Sequence, residues 1–126
     1  GICALRPGVP GLSENVQVIS ILGRFLEHSR VFEFANGGDT EVWIGSADLM
    51  HRNLDRRVES LVSLKSPEHV AHINSLFELA FSPDTMAWDL DSDGEWTWRN
   101  TAPDGTPLND LQEVLIDAYR TRGKIG

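Results

Sequence analysis

The chain has 126 residues, 40% of them hydrophobic and 24% charged, which suits one soluble globular domain with a core of its own. Its net charge of −8 argues against a general nucleic-acid or anionic-membrane surface, while leaving room for a local basic pocket. No apolar run approaches the roughly 18 residues needed to span a bilayer. Cys3 is the only cysteine, so no intrachain disulfide can form, in keeping with a reducing cytoplasm. Within Ile2-Cys3-Ala4-Leu5 it reads as a small buried residue of a strand-like run, rather than as a catalytic thiol. The chain starts without Met, in that apolar run, as a fragment of a larger protein would.

In chain order, residues 6–13 form a Pro/Gly loop. Val16 to Leu22, apolar and β-branched, predicts a strand buried on both faces. Gly23 to Glu27 reads as a loop or short helical turn. Val31–Phe34 and Glu41–Ile44 flank Asn36-Gly37-Gly38-Asp39, a strong hairpin signal. Asp48 to Asn53 reads as a loop or one helical turn, and Val58 to Leu64 as another strand. Ser66-Pro67 opens a helix whose core face is Val70, Ile73, Phe77 and Ala80, and Ser82-Pro83 ends it. Trp88, Leu90, Trp96 and Trp98 alternate around Asp93-Gly94 as in a second hairpin. Thr106-Pro107 predicts the start of a last helix with an apolar stripe of Leu108, Leu111, Leu115 and Ala118, stopped at Gly123.

The chemistry-bearing residues gather at strand ends. His28 and Arg30, one residue apart at the start of a strand, share a face. An imidazole beside a guanidinium suits a phosphate: Arg30 for a bidentate charge-assisted contact, His28 as donor, nucleophile or acid/base. The plain alternative is two neighbouring surface side chains. Gly45-Ser46 ends the next strand and offers close backbone approach, an N–H and a hydroxyl, or simply an ordinary turn. Arg52, Arg56 and Arg57 form a basic cluster that could guide a polyanion, unless Asp48 and Asp55 pair with them at the surface. Glu59, on the next strand, could accept from one nitrogen of His28 and so set its tautomer, or be a solvated strand carboxylate. His51 lies in the same Arg-rich loop. Asp89-x-Asp91-x-Asp93-Gly94 opens like a calcium loop but lacks the closing Glu and the flanking helices, so it reads as an acidic hairpin tip. His69 and His72, three apart on a helix, read as solvated helix residues rather than metal ligands.

His28-Ser29-Arg30 with Gly45-Ser46-Ala47-Asp48 resembles the phospholipase D superfamily signature, His-x-Lys then Gly-Ser-x-Asn. Arg30 stands for the Lys and Asp48 for the Asn. These departures, with Gly1 to Gly8, Leu12 to Val16, Arg24 to Arg30, Asn36-Gly37-Gly38, Gly45 to Met50 and Arg52 to Glu59, resemble the C-terminal part of the bacterial polyphosphate kinase family. The likeness is strong over roughly residues 1–64. It implies an α/β fold over residues 1–126: one phospholipase D-like half, with a mixed β-sheet flanked by helices.

The activity implied is reversible transfer of the ATP γ-phosphate to inorganic polyphosphate through a phosphohistidine in the other half of the enzyme. Magnesium is implied there too, so no metal site is expected in these residues. The family's ATP-contacting Arg falls just before the position of Gly1. The site residues implied are His28 and Arg30, which contact ATP and phosphate. Ser46, Arg52, Arg56 and Arg57 contact or guide phosphate, and Glu59 orients His28. The partners implied are ATP, polyphosphate, the rest of the kinase chain and further copies of the full enzyme. The setting implied is cytoplasmic, up to the inner face of the membrane. Two other classes stay open: a phosphodiesterase half-site of the phospholipase D superfamily, and a non-catalytic binding or assembly domain.

Overall fold

In chain order the elements are β1 (Ile19–Ser20), β2 (Val31–Phe34), β3 (Glu41–Gly45), α1 (His51–Arg56), β4 (Leu61–Leu64), α2 (Pro67–Phe81), β5 (Ala87–Leu90), β6 (Trp96–Arg99) and α3 (Leu111–Arg122). They come from a computed structural model that describes residues 3–122. The chain forms two units: Leu26–Phe77, and the described part of Gly1–Phe25 with Glu78–Gly126. The α/β class holds. The strands are shared between two three-stranded sheets, β2-β3-β4 and β1-β5-β6, with each strand pairing antiparallel.

In the Leu26–Phe77 unit the Asn36-Gly37-Gly38 turn sets the first hairpin. Asn36, Gly37 and Gly38 have φ of 44°, 68° and 106°, a left-handed run that two glycines make cheap. The chain reverses there, and β2 pairs with β3 from Val31↔Ile44 to Phe34↔Glu41. β3 is the central strand, and its Val42 is fully buried. β4 pairs along its other edge from Val42↔Leu64 to Gly45↔Leu61. The strand expected over Val58–Leu64 is therefore shorter at its start, and Val58 is fully exposed. Within the expected Asp48–Asn53 segment the chain turns helical at His51 and runs on to Arg56, opened by the Met50 carbonyl, which accepts from Asn53 and Leu54.

α2 begins at Pro67 and ends before Ser82-Pro83, as the sequence predicts. The Ser66 carbonyl accepts from Val70 at 3.0 Å. Val70, Ile73, Phe77 and Ala80 are half-buried. Among the described residues, no helix is long and apolar enough to cross a membrane.

In the other unit β5 and β6 form the tryptophan hairpin, with Trp88 opposite Trp98 and Leu90 opposite Trp96. The Trp88 and Trp98 rings lie 5.1 Å apart between centroids, tilted by 33°, inside the range for aromatic pairs. At the tip, Asp91 Oδ1 accepts from the amides of Asp93 at 3.0 Å and Glu95 at 2.8 Å. Asp89 instead binds Arg99. These carboxylates brace the hairpin and do not converge as a calcium loop.

Three expectations are corrected in this unit. Only Ile19–Ser20 of Val16–Leu22 pairs as a strand, along a single edge of β5, and Val16 and Leu22 are exposed. β1 is an edge strand of its sheet, and Val16 and Leu22 lie outside its two paired residues. The last helix starts at Leu111, not at Thr106-Pro107. Thr106 and Pro107 serve a tight turn in which Ala102 donates to the Thr106 carbonyl and Thr101 bridges to Pro107. Asp110 is the N-cap, its Oδ1 accepting from Gln112 at 2.8 Å and Glu113 at 3.1 Å. Leu108 is buried but outside the helix, Leu111 and Leu115 are half-buried, and Ala118 is exposed. Cys3 is exposed, and no strand forms at residues 3–5. Gly1, Ile2 and the stop expected at Gly123 lie outside the described residues.

Buried Gln112 ties the loop before β2 to α3. Its Oε1 accepts from Phe25 N at 2.7 Å and its Nε2 donates to Phe25 O at 2.8 Å. Thr85 and Ala87 of the same unit are fully buried.

Candidate active site

The site sits where β2 begins and β3 ends. The ladder runs one step past Val31↔Ile44, because Gly45 N donates to the Arg30 carbonyl at 3.1 Å. On the opposite edge, Ser46 N donates to the Ser60 carbonyl at 3.1 Å. The C-terminal end of β3 therefore holds the residues before β2 on one side and those before β4 on the other. A cleft of about 440 Å³ opens there, lined by His28, Arg30, Ser46 and Ser60 over an apolar floor of Val31, Ile44 and Val62. Gly45 is required by close packing: a Cβ on it would collide with the Ser60 carbonyl and the Leu61 side chain.

Arg30 is the organising side chain. Its Nε donates to Asp48 Oδ1 at 2.8 Å, and its NH1 donates to the His28 carbonyl at 2.9 Å and lies 2.6 Å from His28 Nδ1. A guanidinium has five N–H donors. The two on NH2 have no protein partner among the described residues, and can meet a phosphate. The Asp48 hydrogen bond raises the Arg30 pKa further, so the cation is permanent. Reciprocally, the Arg30 hydrogen bond holds the Asp48 carboxyl below its usual range, and the charges on Arg30, Arg52 and His28 add to this.

A second cluster backs Ser46. Ser46 Oγ donates to Glu59 Oε2 at 2.5 Å and accepts from Ser60 N at 3.1 Å. Asn53, 4% exposed on α1, donates from Nδ2 to Glu59 Oε1 at 2.7 Å. These bonds, from Ser46 first and Asn53 second, hold the Glu59 carboxyl below its usual range, with Arg57 assisting through space.

The expected residues divide as follows. His28, Arg30 and Ser46 are brought together at the cleft. Glu59 does not orient His28. Its two oxygens are taken by Ser46 and Asn53, and His28 Nδ1 is met by Arg30. The strand that was to carry Glu59 to the ring begins only at Leu61, which leaves Glu59 in the segment facing α1. Arg52 lies 4.0 Å from Asp48, at the limit of an ion pair. Arg56 and Arg57 form no ion pair among the described residues and stay exposed. Asp55, a possible partner for the arginines, pairs with His51.

Sequence reasoning did not place Asp48 on Arg30, nor Asn53 on Glu59. The spacing Gly-Ser-x-Asp carries a signal for Asp48, whereas a buried Asn in a polar six-residue helix carries none.

Among the described residues no group of three or more His, Cys, Asp or Glu side chains converges as a metal would require. The two carboxylates nearest the cleft, Asp48 and Glu59, are already bound to Arg30 and to Ser46 and Asn53. The described residues therefore do not by themselves fit a magnesium site.

Residues 1–110 match the family model described as Polyphosphate kinase C-terminal domain 2. The chain is 64% identical over 122 residues to a protein named polyphosphate kinase from Streptomyces coelicolor, a match covering 97% of this chain and 16% of that protein. It is 54% identical over 121 residues to one of the same name from Mycobacterium avium, covering 96% and 16%. The crystal structure of polyphosphate kinase from Porphyromonas gingivalis aligns with a TM-score of 0.85 at 31% identity, over 100% of this chain and 19% of that one. The chain thus spans less than a fifth of the length of these relatives. By its sequence and its fold alike, the chain belongs to the polyphosphate kinase C-terminal domain 2 family.

Proposed function

We propose that residues 1–126 act as the C-terminal, phospholipase D-like domain of a polyphosphate kinase and supply one wall of its phosphoryl-transfer site. The reaction is the reversible transfer of the ATP γ-phosphate to inorganic polyphosphate, with the phosphorylated histidine and the magnesium held by a half outside these residues. The observation that carries this reading is the convergence of His28, Arg30 and Ser46 on one cleft, with the Arg30 NH2 group available to an anion. Phosphoryl transfer asks for little covalent chemistry from the protein beyond the nucleophile. Positioning and charge stabilisation do most of the work.

In this reading Arg30 neutralises charge on the transferred group, and His28 contacts a phosphate oxygen. Ser46 shapes the turn at the cleft edge, its hydroxyl proton committed to Glu59 and its amide to the Ser60 carbonyl. Arg52, Arg56 and Arg57 add positive potential along the approach of the polyanion in an otherwise acidic chain.

The test is polyphosphate synthesis from ATP by the full-length enzyme carrying His28→Ala. A loss of about 100-fold or more is expected, the scale of removing one well-placed donor. Native turnover would refute the site. Residues 1–126 alone should make no polyphosphate, because they lack the phosphorylated histidine, and measurable synthesis by them would refute the division of labour.

A further inference from the structure

Asp48 is a carboxylate beside a cleft that suits phosphate, so its own charge works against the ligand. Its geometry gives it a different task. Oδ1 accepts from Arg30 Nε at 2.8 Å, with the Arg30 and Asp48 side chains only 20% and 31% exposed. Arg30 lines the cleft and Asp48 does not. Arg30 is thus held at both ends. Its carbonyl accepts from Gly45 N at the end of β3, and its guanidinium is tied to the turn that follows the same strand. Buried Ala47 pins that turn next to Asp48. With Nε on Asp48 and NH1 on the His28 carbonyl, NH2 is the group that remains for an anion. Arg52 is a contrast: it is 57% exposed and lies 4.0 Å from Asp48 Oδ2, so it gains little from the carboxylate.

We propose that Asp48 is a positioning residue for Arg30, whose hydrogen bond to Nε aims the guanidinium so that the NH2 group meets the transferred phosphoryl group. The inference rests on the reading of this cleft as one wall of a phosphoryl-transfer site. Asp48 touches no substrate and moves no proton in this scheme. A loose arginine side chain has many rotamers, and a donor stabilises developing charge best when it is already in place. Anchoring and bare charge predict opposite signs. By charge alone, removing a carboxylate from beside a phosphate site speeds the reaction or tightens ATP binding. By anchoring, loss of the acceptor slows transfer even though the repulsion is gone.

The test measures kcat and the KM for ATP in the full-length enzyme, with ATP and a short polyphosphate primer, and follows folding by thermal melting. Asp48→Ala should lower kcat about tenfold, a fraction of the ~100-fold that a misplacement of ~1 Å costs. The KM for ATP should change less than kcat, because the aim of the donor matters most in the transition state. Asp48→Asn keeps a carbonyl oxygen for Arg30 Nε and should recover most of the loss. Both variants are neutral, so an effect of the charge itself moves them alike, whereas the hydrogen bond separates them. Native or faster turnover in Asp48→Ala overturns the proposal, as does an Asp48→Asn variant equally slow. A raised KM at native kcat would assign Asp48 to ground-state binding and overturn it too. Should alanine disturb the melt, Asp48→Leu, similar in outline but accepting nothing, is judged by the same criteria.

A second arm traces the effect to Arg30. Arg30→Ala should lose about 100-fold or more in kcat. Asp48→Ala should slow that variant no further, because no guanidinium is left to aim. In an Arg52→Ala background, by contrast, the Asp48→Ala loss should persist. An equal Asp48→Ala loss with and without the Arg30 guanidinium, or a loss that vanishes with Arg52, would mean that Asp48 acts apart from Arg30 and would overturn the proposal. Native turnover by Arg30→Ala would instead sink the site reading itself, so the two failures are distinguishable.

Discussion

Gly45 has no space for a side chain, because the carbonyl oxygen of Ser60 stands where its Cβ would be. The same carbonyl accepts from Ser46 N. This pair of residues brings the end of β3 against the start of β4, and so places Ser46 at the cleft. Gly45→Ala must push Ser60 and Leu61 aside. A loss of about 1–3 kcal/mol, the usual scale for overpacking, is expected in urea unfolding. An unchanged midpoint would show that the strands yield more easily than the packing implies.

Asn53 is a buried amide on a short helix, with Nδ2 committed to Glu59. Asn53→Ala leaves Glu59 with Ser46 alone and opens a gap under α1. The melting midpoint should fall by about 4 °C, as for loss of one net hydrogen bond with some packing. Glu59→Gln keeps the shape and should cost less. A smaller loss for Asn53→Ala than for Glu59→Gln would remove Asn53 from its role as anchor.

Acid sensitivity follows from the two depressed carboxyls. Asp48 lies below its ordinary 3.8, through Arg30 first, and Glu59 below its ordinary 4.5, through Ser46 and Asn53. A carboxyl with a lowered folded-state pKa contributes stability above its unfolded value, and loses it as the pH falls through the folded one. Unfolding midpoints followed from about pH 7 down to about pH 3 should therefore decline below the two ordinary values, and less steeply in Asp48→Asn and Glu59→Gln. An acid limb of unchanged steepness in both variants would place the proton uptake elsewhere.

Arg99 clasps the other unit. Its Nε donates to Asp89 Oδ2 at 2.9 Å, and its NH1 reaches the carbonyls of Ser82, Pro83 and Thr85 at 3.2, 2.8 and 3.0 Å. Lysine has the charge but not the fork. Arg99→Lys should cost about 1.5–3 kcal/mol, with the Trp88–Trp98 fluorescence changing in the same transition. A variant as stable as the parent would mean that one of these contacts suffices.

Several features could be read from residues close together in the chain. The Asn36-Gly37-Gly38 reversal, the Trp88 to Trp98 hairpin and both ends of α2 lie where the sequence predicts them. Each depends on backbone preferences within a few residues: positive φ at glycine, the fixed φ and missing N–H of Pro67 and Pro83. Thr106-Pro107 offers a helix-start signal of the same quality as Ser66-Pro67, yet a turn claims it. Asp110, three residues later, caps the helix instead. Local chemistry permits both starts, and the pairing of Thr101 with Pro107 selects one.

The sequence by itself determined the two hairpin turns, α2, the class of fold and, through His28-Ser29-Arg30 and Gly45-Ser46-Ala47-Asp48, the family. Only the tertiary structure decided which polar groups meet. Glu59 lies within reach of Ser46 and Asn53 and not of His28, because β4 starts at Leu61 and leaves Glu59 facing α1. His28 Nδ1 belongs to Arg30, and Arg30 to Asp48, because the step from Val31↔Ile44 to Gly45 brings these side chains to one strand end. Hydrogen bonds form over a few ångströms and in fixed directions. Strand register sets distances on that scale, and residue order along the chain does not.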